Sequence, residues 1–127
     1  MIPVANASGT PGTPISANGN YCTITAPMPA LNAQGSGAFG CQVIDVASYV
    51  FTTGAGVSAG TVTLQALARD GATWFNLTVA GNPFTLAANA TVSGTINGPW
   101  HGVRMVVAAL AGGSITYAEI IGSIRTL

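Results

Sequence analysis

The sequence predicts an all-β fold, a single antiparallel β-sandwich or jelly-roll-like domain with an extended N-terminal arm, and three observations carry that expectation. β-Branched and aromatic runs of strand length recur between clusters of Gly, Pro, Asn and Asp, which is the spacing of a sandwich. Residues Thr61 to Ala68 alternate strictly, with Val62, Leu64, Ala66 and Ala68 on one face and Thr61, Thr63, Gln65 and Leu67 on the other. That is the period of a half-buried strand. The 17 Gly and 7 Pro interrupt every candidate helical stripe.

Taken in order, residues 1–19 are Pro, Gly, Ala, Ser, Thr and Asn with few apolar side chains. Such a segment cannot bury enough surface to order itself, so it reads as an arm that is held by a neighbouring subunit. Folding back on its own domain is the alternative. Residues 20–127 form the sandwich. Asn20 to Ala26 is a short strand, and Pro27 to Gly40 is a loop punctuated by Pro27, Pro29, Gly35, Gly37 and Gly40. Gln42 to Thr53 is apolar on both faces, as expected near the middle of a sandwich. Asp70-Gly71 supplies the left-handed angles of a tight hairpin after Ala68, and Thr73 to Val79 returns as the partner strand. Ala90 to Ile96, Gly102 to Leu110 and Ser114 to Arg125 complete the set, with turns at Asn97-Gly98-Pro99 and Ala111-Gly112-Gly113.

Charged residues make up only 5% of the 127: Arg69, Arg104, Arg125, Asp45, Asp70 and Glu119, with no Lys and no net charge. A free solution surface carries about 25–35% charge, so this chain is expected to cover much of its surface with other subunits. Three scattered arginines offer no basic stripe for phosphates, and nucleic acid is not an expected partner. The apolar run Val103 to Leu110 is interrupted at Arg104, and no stretch approaches the about 18 residues of a membrane span. No membrane is expected as a partner. The opening Met-Ile-Pro-Val-Ala-Asn lacks the positive and apolar regions of a signal peptide, so the chain is expected to fold in the cytoplasm where it is made. Thiols stay reduced there. Cys22 and Cys41 would pair only if their strands lie side by side, which the sequence leaves open.

Several motifs invite a chemical reading. Gly56-Val57-Ser58-Ala59-Gly60 matches the nucleophile elbow, and Asp70 and His101 follow in the hydrolase order. The elbow needs a helix leaving it, whereas Ser58 leads into the alternating strand, and Asp70 is explained by its hairpin turn. No enzymatic activity is expected. Gly35 to Gly40 satisfies G-x-G-x-x-G but runs into a β-rich segment, where a phosphate site needs a helix N-terminus. With no paired ligand spacing around Cys22, Cys41 or His101, neither a metal nor another cofactor is expected. His101 reads as a polar surface or interface residue. Trp74 is assigned to the core, and Trp100 to either the core or an interface. The expected inter-subunit contacts are Ile2, Pro3, Val4, Trp100 and His101.

The segment Thr61 to Leu77, a strand leading into Asp70-Gly71-Ala72-Thr73-Trp74, resembles small β-sandwich structural proteins of the virions of tailed bacteriophages. So does the ending, in which Gly98-Pro99 precedes Gly102-Val-Arg-Met-Val-Val and then Gly112-Gly113-Ser-Ile-Thr. The resemblance implies a virion component of the capsid decoration, or cement, type. It would act as a trimer on the capsid surface, bound to a major capsid protein with its arms reaching neighbours. Hairpins of the Asp-Gly-x-x-Trp kind also occur in carbohydrate-binding tail and adhesin modules, and such a module is the alternative reading.

Overall fold

The computed structural model describes residues 2–5, 14–26, 42–68 and 70–126. Its strands, in chain order, are β1 (Ile2–Ala5), β2 (Gly19–Thr25), β3 (Gln42–Thr53), β4 (Ala59–Leu67), β5 (Trp74–Asn76), β6 (Phe84–Thr85), β7 (Thr91–Trp100), β8 (Gly102–Ala111) and β9 (Ile115–Thr126). One sheet has the order β1-β9-β3-β7 and the other β2-β8-β4-β5, with β6 also on β4. Apart from the run β4 to β6, each successive strand crosses to the opposite sheet. That interleaving of two antiparallel layers, of four and five strands, is a jelly roll.

Alternation builds the layers. Val62, Leu64 and Ala66 of β4 and Val103, Met105 and Val107 of β8 point inward and are buried, while Thr63, Gln65, Arg104 and Val106 between them face out. Phe51, Ile44, Ile96 and Ile120 close the core from the other sheet. The aromatic centre is Phe84, with its ring 5.7 Å from that of Phe51 and 6.0 Å from that of Tyr49.

The structure departs from the sequence reading at several elements. β3 is not apolar on both faces in the sense of burial: its outward Val46 is 37% exposed and Ser48 is exposed. Asn97-Gly98-Pro99 is not a turn. β7 runs through it to Trp100, with a register shift where Ile44 and Val46 of β3 face Trp100 and Asn97. Gly98 is required because a Cβ there would collide with the Ile44 carbonyl. The return strand after Asp70-Gly71 pairs only over Trp74–Asn76, and Leu77 to Val79 leave the regular strand. Ile15, placed in the arm, is buried and exchanges backbone hydrogen bonds of 2.8 and 2.9 Å with Ile115, and β2 begins at Gly19. At the start of the arm, Ile2–Ala5 pair with β9 of their own sheet, where the sequence favoured a neighbour. The loop Pro27 to Gly40, with its G-x-G-x-x-G, and Cys41 lie outside the described residues.

Candidate interaction surfaces

The outer face of the first sheet is made mainly of hydroxyls and short aliphatics along β3 and β7, and its charges lie on β9 and at one end. From β3 it displays Val46, Ser48, Val50 and Thr52, and from β7 Thr91, Ser93, Thr95 and Asn97. Thr52 and Thr91 share a hydroxyl–hydroxyl hydrogen bond of 3.0 Å across the two strands. β9 adds Ile121, 41% exposed, and Glu119. Tyr117 hydrogen-bonds Glu119, and that contact together with desolvation raises the Tyr117 pKa, desolvation being the larger cause. At one end Arg125 Nε meets Asp45 Oδ1 at 3.1 Å, so two of the few charges cancel each other.

The outer face of the second sheet carries a polar row. Register places Asn76 of β5, Gln65 of β4 and Arg104 of β8 side by side. Arg104 Nε donates to Gln65 Oε1 at 2.9 Å, and Gln65 Nε2 donates to Asn76 Oδ1 at 3.0 Å. The Arg104 guanidinium also lies 4.0 Å from the centre of the Trp74 ring, and partial burial lowers its pKa. Trp74 is therefore not a core residue. It is half-buried on this outer face, beneath Arg104.

Trp100 packs at the margin of the core, its ring 5.0 Å edge-to-face from Phe75, while its Nε1 donates to the Asn97 carbonyl at 2.8 Å. It walls a half-open cavity of about 280 Å³ between Leu77 to Ala80 and the Thr95 to Asn97 stretch of β7.

The expected contact residues gather at one end of the first sheet. Ile2 faces Ile124, Ile124 faces Ile44, and Ile44 faces Trp100, so a single row crosses all four strands. Ile2 and Trp100 occupy its two ends, on opposite edges roughly 14 Å apart at the usual strand spacing. Pro3 and Val4 continue along the β1 edge, and His101 makes the crossing from β7 to β8. His101 N–H donates to Leu67 and its carbonyl accepts from Ala26, which pins the corner.

The elbow residues are not brought together. Ser58 N–H donates to the Ala111 carbonyl at the far end of β8, whereas His101 precedes the first residue of that strand, about 30 Å away along it. The glycines of the motif serve close packing instead: a Cβ on Gly56 would strike the Gly112 carbonyl, and one on Gly112 would strike Gly56. Asp70 forms a turn cap, accepting from Ala72 N–H at 2.9 Å, Thr73 N–H at 3.0 Å and Thr73 Oγ1 at 2.8 Å, and these bonds lower its pKa. Among the described residues no group of three His, Cys, Asp or Glu is placed to hold a metal ion. Cys22 is buried in β2, and its thiol is pushed up to about 12, first by desolvation and then by the Glu119 carboxylate. No family model matches the chain, and neither does any curated protein or solved structure.

Proposed function

We propose that this protein is a structural component of a virion, a decoration protein that cements the capsid of a tailed bacteriophage through apolar and backbone contacts. Its partners in this reading are copies of itself and a major capsid protein. The observation that carries the proposal is the outer face of the first sheet, where Val46, Ser48, Val50 and Thr52 lie beside Thr91, Ser93 and Thr95 with no charge on either strand apart from Asp45 at one end. A surface of hydroxyls and short aliphatics packs against another protein at little desolvation cost, whereas a free solution surface of this breadth is normally charged. Interleaved jelly-roll sheets suit the role as well, being an architecture that viral capsids and lectins share. The test is reconstitution: the purified protein is mixed with heads lacking the component and sedimented. Saturable co-sedimentation that raises the melting temperature of the heads is expected. Heads that neither bind it nor gain stability would refute the proposal.

A specific observation favours the second reading, a carbohydrate-binding tail or adhesin module. Trp74, Arg104, Gln65 and Asn76 form an aromatic, guanidinium and amide group on an open sheet face, the side-chain types that stack on and hydrogen-bond to a sugar. Glycan binding lost in both Trp74→Ala and Gln65→Ala would establish that reading.

A further inference from the structure

β7 ends its sheet, and the devices that usually protect an edge gather at one end of it, where Pro99 and the register shift against β3 lie and a half-open cavity separates Thr95 to Asn97 from Leu77 to Ala80. Over Thr91–Asn97 it reads Thr-Val-Ser-Gly-Thr-Ile-Asn, with no charge and no proline, and among the described residues no backbone hydrogen bond reaches it on the side away from β3. The hydrogen-bond parity of the strand identifies which groups are left open. Thr53 N–H donates to the Ala90 carbonyl at 2.9 Å, so Ala90 belongs to a hydrogen-bonded pair, and alternation along the antiparallel ladder directs Val92, Gly94 and Ile96 to β3 as well. The amides and carbonyls of Thr91, Ser93, Thr95 and Asn97 then point away from the sheet. Trp100 Nε1 donates to the Asn97 carbonyl at 2.8 Å, so that acceptor is already taken at this end of the strand.

We infer that a second copy of this chain adds to the β7 edge, strand against identical strand, about a two-fold axis at Gly94. The deduction rests on the self-complementarity of the sequence about that residue. An antiparallel pairing centred there sets Ser93 opposite Thr95 of the other copy, Thr91 opposite Asn97, and Val92 opposite Ile96. Hydroxyl meets hydroxyl or amide on the outer face, aliphatic meets aliphatic on the inner face, and no like charges are opposed. The same operation meets each of these three pairs twice, as an isologous contact requires, and Gly94 meets its own copy once on the axis. Ser93 and Thr95 become the hydrogen-bonded pairs, using the four outward amides and carbonyls on each strand at those positions. At the centre Gly94 brings no Cβ to the close pair, and the Tyr49 ring already covers its inner side. The contact deepens the assembly reading by naming how copies join, and it is two-fold, unlike the trimer contact that the resemblance implies.

Thr95→Pro tests the pairing. It removes an amide that the parity leaves unused within the chain, so the fold should survive while the pairing is lost. Light scattering on a sizing column is expected to give an even multiple of the chain mass for the natural protein and half that mass for Thr95→Pro at an unchanged circular dichroism spectrum. A charge pair gives a second route that leaves the backbone alone. Ser93→Glu with Thr95→Glu opposes carboxylates twice and should give the half-mass species at low salt, whereas Ser93→Glu with Thr95→Lys opposes opposite charges twice and should restore the full mass. A natural protein that is monomeric, or a mass unchanged in all three variants, would overturn the pairing. A variant of half mass that still binds heads leaves the decoration role standing, and a paired protein that does not bind heads refutes that role alone.

Discussion

Trp74 and Phe51 show how large aromatics divide between structure and surface. Both are large aromatics in strands, yet Phe51 is fully buried between the sheets and Trp74 lies half-buried under Arg104 on an outer face. Phe51→Ala should cost about 3–5 kcal/mol, and Trp74→Ala only about 1–2 kcal/mol, by urea titration. Equal losses would return Trp74 to the core. The hydrogen bonds around Asp70 hold its carboxyl below the usual range of about 3.9. Because the folded state binds that proton less tightly than the unfolded chain, the stabilisation is present above about pH 4 and is lost as the pH falls through the folded value. Stability measured from neutral pH down to about pH 2 should therefore fall less steeply in Asp70→Asn than in the natural protein. Cys22, with a thiol at about 12, is almost wholly protonated near neutral pH. In a Cys41→Ser background it should resist a maleimide until the protein unfolds. Rapid labelling of the folded protein would contradict its burial.

At the scale of elements, legibility followed the strength of the local signal. β3 runs over the residues its β-branched composition marks out, Gln42–Thr53, and the alternation from Thr61 holds in β4 as far as Ala66, after which Leu67 is also buried and Ala68 lies past the end of the strand. β6 has two residues and follows a proline, so it presents no period to read, and it exists because Phe84 packs against Tyr49 and Phe51. Asn97-Gly98-Pro99 has turn composition, but the deciding fact is tertiary: β3 shifts register opposite it, and Gly98 lets the Ile44 carbonyl approach. Ala at position 98 should accordingly cost about 1–3 kcal/mol, the range of an overpacked core site, as read from the denaturation midpoint. A variant as stable as the natural protein would restore the turn. The polar row of Asn76, Gln65 and Arg104 was invisible in the sequence because its members are far apart and meet only through the registers of β4 with β5 and β8. Trp100 and the β1 residues stand out in the sequence by local composition alone, and the shared row from Ile2 to Trp100 is a property of the assembled sheet.

For the whole molecule, the scarcity of charge sets the terms of association. Of the charged groups among the described residues, Asp45 and Arg125 pair with each other, Asp70 is bound by its own turn, and Arg104 is stacked on Trp74. That leaves Glu119, on a face otherwise made of hydroxyls and aliphatics, so long-range attraction between this protein and a partner is weak from the start. Contacts made by apolar burial and backbone hydrogen bonds are screened very little by ions, so attachment to heads should survive about 1 M salt, where the Debye length is about 3 Å. The arm enters through β1, the outermost strand of its sheet, which places residues 2–5 where a neighbour would meet that edge. Deleting residues 1–5 keeps Ile15 and its bridge to Ile115, so the sandwich should remain folded while attachment weakens. Sedimenting heads with the full and shortened chains at low and high salt separates the two terms. Equal binding by both chains would remove the arm from the interface, and release by salt would show that charge, not apolar contact, holds the protein in place.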